Sequence, residues 1–245
     1  MKPVTQRRVI ASEAIKLVTL RSLVITHAAI GCVLVIVAGV MLTLPGTDTD
    51  GSTGDALLTL LVLVELLVGI TGVVAATSEY SAATIRSTLA AVPQRVPILL
   101  AKVAVYGGAT LVLFVPATLM GLLAGLVLAP DEIGPVTDAA VLRGLAGSAL
   151  VFGVTCVLGV GFGMLTRSTP AGIGILLAVM FLPVMVTFAP EVTAFLPGRA
   201  AQAVVFSDNP PEAKLLGVSA AVAVLVVWAL AAVTAAAIAL RRRDA

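Results

Sequence analysis

Val103-Ala-Val-Tyr-Gly-Gly-Ala-Thr-Leu-Val-Leu-Phe-Val-Pro-Ala-Thr-Leu-Met-Gly-Leu-Leu-Ala-Gly-Leu-Val-Leu128 contains no Asp, Glu, Lys or Arg. A helix that crosses a bilayer needs about 20 apolar residues. Lipid cannot satisfy exposed backbone groups, so a stretch this long and this apolar is expected to be a membrane helix. It is too long and too weakly alternating for a barrel strand. Five more stretches read the same way: Ser22–Leu44, Ala56–Thr77, Gly144–Thr166, Ala171–Ala189 and Leu215–Leu240. Of the six, only Ala56–Thr77 holds an ionisable acid or base of the Asp, Glu, Lys or Arg type, at Glu65. Pro116 and Pro183 are expected to kink the third and fifth. The expected fold is therefore an all-α membrane protein of six transmembrane helices, forming one domain over residues 1–245.

Composition agrees. Of 245 residues, 60% are apolar and 11% are charged, against about 25% charged in a soluble domain. The net charge of +2 is too small to point to nucleic acid. Cys32 and Cys156 both fall in apolar runs, so they read as small buried hydrophobes and not as a disulfide framework. Glu13 and Lys16 precede the first apolar run, and no small-residue cleavage site follows it, so a removable signal peptide is not expected. High Ala and Val with Arg over Lys suggest a bacterial plasma membrane.

The basic residues set an orientation. Lys2, Arg7, Arg8, Lys16, Arg21, Arg86, Arg95, Lys102, Arg167, Arg241, Arg242 and Arg243 fall on the side that holds both termini. Only Arg143, Arg199 and Lys214 fall on the other, together with most of the acids. Both termini are expected to be cytoplasmic. Residues 45–55, 129–143 and 190–214 then lie outside; 78–102 and 167–170 lie inside.

The first inner segment reads Ser78-Glu-Tyr-Ser-Ala-Ala-Thr-Ile-Arg-Ser-Thr-Leu-Ala-Ala-Val-Pro-Gln-Arg-Val-Pro97. Ser78 is an expected helix N-cap with Glu79 in the first turn, and Pro93 an expected stop. Ala82, Ile85, Leu89 and Val92 recur at three- and four-residue steps. That pattern gives a short amphipathic helix on the cytoplasmic surface. Periodicity alone leaves two readings open, a connector lying at the interface and a docking element for another protein.

This segment resembles the first cytoplasmic loop of the ABC-2 type transporter permeases, which is typically E-Y-R-x-G-T-I-R-x-T-L followed by a Pro and a basic residue. Glu79, Tyr80, Thr84, Ile85, Arg86, Thr88, Leu89, Pro93 and Arg95 stand at matching places. Ser81 and Ala83 depart from it, where the family often has Arg and Gly. The stretch from Ser12 to Ser22 is similar to the family's amphipathic entry segment. The resemblance implies that residues 78–102 carry a coupling helix resting on a separate ABC ATPase subunit, present in two copies. It implies a second permease copy or a paralogue to complete the pathway, and membrane lipid around both. ATP would be bound by the partner: this chain has no G-x-x-x-x-G-K-[ST] loop, and no cofactor or enzymatic activity is expected of the chain itself.

The remaining features leave alternatives open. Over Val4–Arg21, Ile10, Ala14 and Leu17 form an apolar face edged by Arg7, Arg8, Glu13, Lys16 and Arg21; contact with the ATPase and simple anchoring fit equally. Glu65 reads as a protonated, hydrogen-bonded bundle residue or as part of a substrate or proton path. His27 reads as an interfacial residue. Gly121-x-x-x-Gly125 and Gly159-x-x-x-Gly163 fit close helix packing. Residues 190–214 are too apolar for a free loop and too short to cross, which fits a re-entrant or surface-lying helical pair. A secondary transporter would favour more intramembrane charge or visible repeats. A metal-dependent intramembrane enzyme would need more than the one histidine. A non-transporting assembly or immunity subunit is the other alternative.

Overall fold

The computed structural model describes residues 5–19, 24–25, 28, 30–32, 35, 52–81, 95–128, 139–186, 189–205 and 215–242. Every regular element among them is a helix. We number these α1 (Gln6–Thr19), α2 (Ser52–Ser81), α3 (Arg95–Leu128), α4 (Ala139–Thr166), α5 (Thr169–Met180), α6 (Leu182–Met185), α7 (Pro190–Thr193), α8 (Pro197–Val205) and α9 (Val218–Arg242). Among the described residues three stretches are long and apolar enough to cross a membrane: Val96–Phe114 in α3, Leu145–Thr166 in α4, and α9. Of the first expected span, the described residues, such as Val24, Ile25 and Cys32, are helical, and Ile30 is buried in the core cluster that α2, α3, α4 and α9 share. Cys32, read as buried, is exposed; Cys156 is buried, and both are free thiols.

The bundle is organised around α4. Its glycines bring backbone against backbone along α2. A Cβ on Gly159 would run into the Gly69 carbonyl oxygen, and one on Gly72 into the Cys156 carbonyl. On Gly163 it would sit 2.9 Å from the Val73 carbonyl oxygen. Only glycine permits such an approach. The register rises together, Gly69 with Gly159 and Val73 with Gly163, so α2 and α4 run parallel. The Gly159-x-x-x-Gly163 pattern thus serves packing within the chain. A third helix joins the same way: Gly161 admits Ala232 of α9, and because Val151 shares a core cluster with Leu225 while Met164 shares one with Leu240, α9 also runs parallel to α4. Between α2 and α4 in sequence, α3 runs antiparallel, with Gly107 facing Val157 and Leu111 facing Gly153. Phe114 and Phe152 close that contact at 5.7 Å between ring centroids.

The outward faces are apolar too. α9 buries Ala221, Leu225, Ala232, Ala236 and Leu240, yet Val227 and Leu230 on its far side are 63% and 62% exposed. A helix apolar on all sides is a core or membrane helix.

Two expectations are corrected. The fifth span, Ala171–Ala189, is not one helix. α5 ends at Met180, after 12 residues, or about 18 Å. One further turn, α6, ends at Val186 in extended backbone. Pro183 lacks the N–H that would continue the ladder, and its ring crowds the preceding turn. The chain then folds back: a Cβ on Gly198 would strike the Met180 carbonyl oxygen. That contact lets α8 bury its Ala200, Ala201, Ala203 and Val204. The indole N–H of Trp228 donates to the Phe195 carbonyl at 3.0 Å and ties this return to α9. By contrast α3 continues through Pro116. The second correction concerns Ser78. It caps no new helix; α2 passes through it to Ser81, and its hydroxyl donates to the Ala75 carbonyl at 3.2 Å. Likewise α3 begins at Arg95, so Lys102, read as a loop residue, is helical and buried.

The glycine contacts give a direct expectation. Gly159→Ala should lower thermal stability in detergent by about 1–3 kcal/mol, the usual cost of overpacking. Gly174→Ala, where a Cβ meets nothing within 4 Å, should leave stability equal or slightly higher. Melting curves of the two purified variants check the contrast.

Candidate functional site

Four charged side chains from three helices meet where α1, the end of α2 and the start of α3 come together. Each arrives by helical spacing. On α1, Val9, Glu13 and Lys16 share a stripe at four- and three-residue steps. On α3, Ile98 and Lys102 do the same. Val9 packs with Ile98 and Ala101, flanked by Ile10, and the Gln6 amide donates to the Pro97 carbonyl at 3.1 Å. This apolar contact lays α1 along α3 and carries Glu13 to Lys102.

The Lys102 ammonium donates to Glu13 Oε2 at 2.9 Å, to Glu79 Oε1 at 2.7 Å and to the Ala75 carbonyl at 3.4 Å. An ammonium has three hydrogens, and all are used. Lys16 donates to Glu13 Oε1 at 2.6 Å and to Glu79 Oε1 at 2.9 Å. The quartet is two carboxylates and two ammoniums, so its formal charge is zero. The side chains of Lys102, Glu13 and Glu79 are 1%, 2% and 8% exposed; Lys16, at 29%, covers the opening. Burying single charges costs several kcal/mol each, and only complete mutual pairing offsets it.

Electrostatics follow from the geometry. Burial alone would raise the Glu79 carboxyl. The charge and hydrogen bond of Lys102, with those of Lys16, outweigh it and hold the group down to about 2. Burial likewise acts to lower Lys16, but its bonds to Glu13 and Glu79 prevail and raise it above the ordinary lysine value.

Neighbouring contacts extend this polar layer. Tyr80 is half-buried against the core, with the Arg167 guanidinium 5.6 Å from its ring centroid. Arg167 takes the left-handed conformation, φ 55°, which ends α4 and turns the chain into α5. The hydroxyls of Thr77 and Thr169 are 2.7 Å apart, linking α2 to the start of α5. Farther along the seam, the Thr155 hydroxyl donates to Glu65 Oε1 at 3.0 Å. Both residues are buried, which places Glu65 between α2 and α4.

Of the residues singled out in sequence, Glu79 and Tyr80 stand at this layer. Arg95 is the first residue of α3. Thr84, Ile85, Arg86, Thr88, Leu89 and Pro93 lie outside the described residues, as does His27. The apolar face expected on α1 is corrected in part: Ile10 and Leu17 pack against the core, but Ala14 is exposed and Glu13, read as a polar edge, is buried. Sequence reasoning missed the quartet. Lys102 carried a usable signal, a lone cation between Ile98-Leu-Leu-Ala and Val-Ala-Val, where a charge needs a partner. Among the described residues no cluster of His, Cys, Asp or Glu is placed to hold a metal ion. The arrangement suits mechanical joining. Two carboxylates bridged by two ammoniums, with every Lys102 proton engaged, hold three helix segments in fixed relation.

No family model matches the chain, and no curated protein matches it.

Removing one partner of the quartet leaves a buried charge unpaired. Lys102→Met should therefore destabilise the purified protein by about 3–5 kcal/mol, read from denaturation in detergent. The quartet also sets a pH response. Glu79 is lowered in the folded state, so its contribution is present above the ordinary carboxyl value of 4.5 and is lost as pH falls from there toward about 2. Lys16 is raised, so its contribution is present below 10.5 and is lost as pH climbs through its folded value. Melting temperature against pH should fall at both extremes, and Glu79→Gln should flatten the acid limb.

Proposed function

We propose that this chain is the permease subunit of an ATP-driven exporter. In this reading it crosses the bacterial plasma membrane six times with both termini in the cytoplasm. The observation that carries the reading is the charge joint. Residues 82–94 hold Thr84, Ile85, Arg86, Thr88, Leu89 and Pro93. They are bracketed by Ser81 of α2 and Arg95 of α3, the two helix ends that the joint ties together with α1. A force applied to that segment passes into two long helices and a third element at once. Transport by alternating access needs such a stiff lever joined to packed, two-state helices.

The resemblance of residues 79–95 to the ABC-2 permeases supplies the motor: a separate ABC ATPase, two copies of which close on ATP. A second permease copy or a paralogue completes the pathway. The orientation rests on the bias of Lys and Arg toward one side. Parallel α2, α4 and α9, with α3 antiparallel, suit alternate crossings. The fifth crossing is then a broken one, made by α5 and α6, with α7 and α8 returning at the outer edge. Glu65, inside the α2–α4 seam, lies where a change in that seam would reach it.

The experiment is co-purification of the tagged chain with the ATPase subunit from the native membrane. The wild type should retain that subunit. Arg86→Glu should keep its membrane insertion and melting temperature while recovering roughly tenfold less ATPase, about 1.4 kcal/mol of association. Unchanged recovery together with unchanged export in that variant would sink the proposal.

A further inference from the structure

A groove of about 520 Å³ runs between α3 and α4 and opens on one side. Gly107, Gly108 and Leu111 line it from α3; Leu150, Gly153 and Val157 from α4. Among the described residues, no lining side chain carries a polar atom. These glycines differ from those of the α2–α4 seam. A Cβ on Gly108 would meet nothing within 4 Å, and on Gly107 or Gly153 it would make only ordinary contact, at 3.7 and 3.5 Å. They bring no backbones together; they hollow the surface.

Arg143 is exposed and stands on the groove's own stripe of α4: Leu150, Val154 and Val157 follow it at steps of seven, eleven and fourteen. Ten residues separate it from Gly153 at the groove's centre, about 15 Å along the helix. That is the depth of one leaflet, half of a hydrocarbon core about 30 Å thick. We propose that this face binds one anionic phospholipid, an acyl chain lying in the groove and the phosphate on the Arg143 guanidinium. Arginine matches phosphate by paired, parallel N–H donors. A helix of a second copy fits less well. Lined from Val103 to Leu111, the groove is about 12 Å long, well short of the roughly 30 Å over which a bilayer-crossing helix runs. The proposal rests on the membrane reading above, not on the energy source.

The test is native mass spectrometry of the full chain, released from nonionic detergent and titrated with phosphatidylglycerol. The wild type should retain one adduct after the others dissociate. Gly108→Leu, which fills open space, should keep its melting temperature and lose that adduct. Arg143→Gln should bind phosphatidylglycerol roughly tenfold more weakly and lose its preference over phosphatidylcholine. Equal retention by wild type and both variants would mean a nonspecific lipid annulus and would overturn the site. So would Gly108→Leu abolishing self-association while leaving lipid binding intact, which would assign the groove to a second copy. No ATPase is present in the assay, so its failure and the failure of the permease proposal are separate outcomes.

Discussion

The structure depends on the contact of bare backbone along α2 and α4. Where Gly159 meets Gly69 and Gly72 meets Cys156, no side chain separates the helices. Between apolar helices in an apolar solvent, hydrophobic burial supplies little attraction, and close van der Waals packing takes its place. The approach has further effects. It brings Thr155 within hydrogen-bonding distance of Glu65, so the lone acid of the second apolar run finds a donor on the neighbouring helix. It leaves room for Gly172 of α5 against Gly163 and Val73. It also sets the height at which α2 ends, and so where Glu79 and Tyr80 stand.

The charge joint is built on that frame. An apolar patch, Val9 with Ile98 and Ala101, lays α1 on α3, and the four charges then close the contact. The two kinds of interaction divide the work. Apolar contact brings the segments together but tolerates sliding. Charged hydrogen bonds of fixed number and direction do not, because any displacement strands a buried ion. α1 is thereby an integral part of the bundle, and its remaining apolar side chains, Ile15 and Val18, point outward.

The long helices were legible because their physics is local. A charge-free run longer than a bilayer is deep has one good conformation, and α3, α4 and α9 follow it. The turn at 167–170 was legible from Arg167 and Pro170. The fate of the fifth apolar run was only partly so. Pro183 announces an interruption, but the return of α8 depends on Gly198 meeting Met180, a contact no local pattern contains. Ser78 misled for the opposite reason. Its capping chemistry is real in isolation, but here the preceding turn accepts its hydroxyl and the helix runs on. The joint was the least legible feature. Lys102 and Glu13 stand 89 positions apart; the apolar flanks of Lys102 call for a partner, but no local pattern says which residue it is. Glu79 and Tyr80 were found through resemblance, whereas their partners inside the chain came only from the structure.

The common direction of α2, α4 and α9 has an electrical consequence. Every helix carries about half a negative elementary charge at its C-terminal end. α2, α4 and α9 finish at the end of the bundle where α3 and α5 start, and because the effect falls off within one turn each C-terminal end acts on the charges nearest to it. Cations stand where two of them finish: Arg167 directly after α4, and Arg241 and Arg242 in the last turn of α9. The basic residues that mark one side of the chain therefore also neutralise a field made by its own peptide groups. Part of that asymmetry would persist as a requirement of folding even if membrane insertion imposed none.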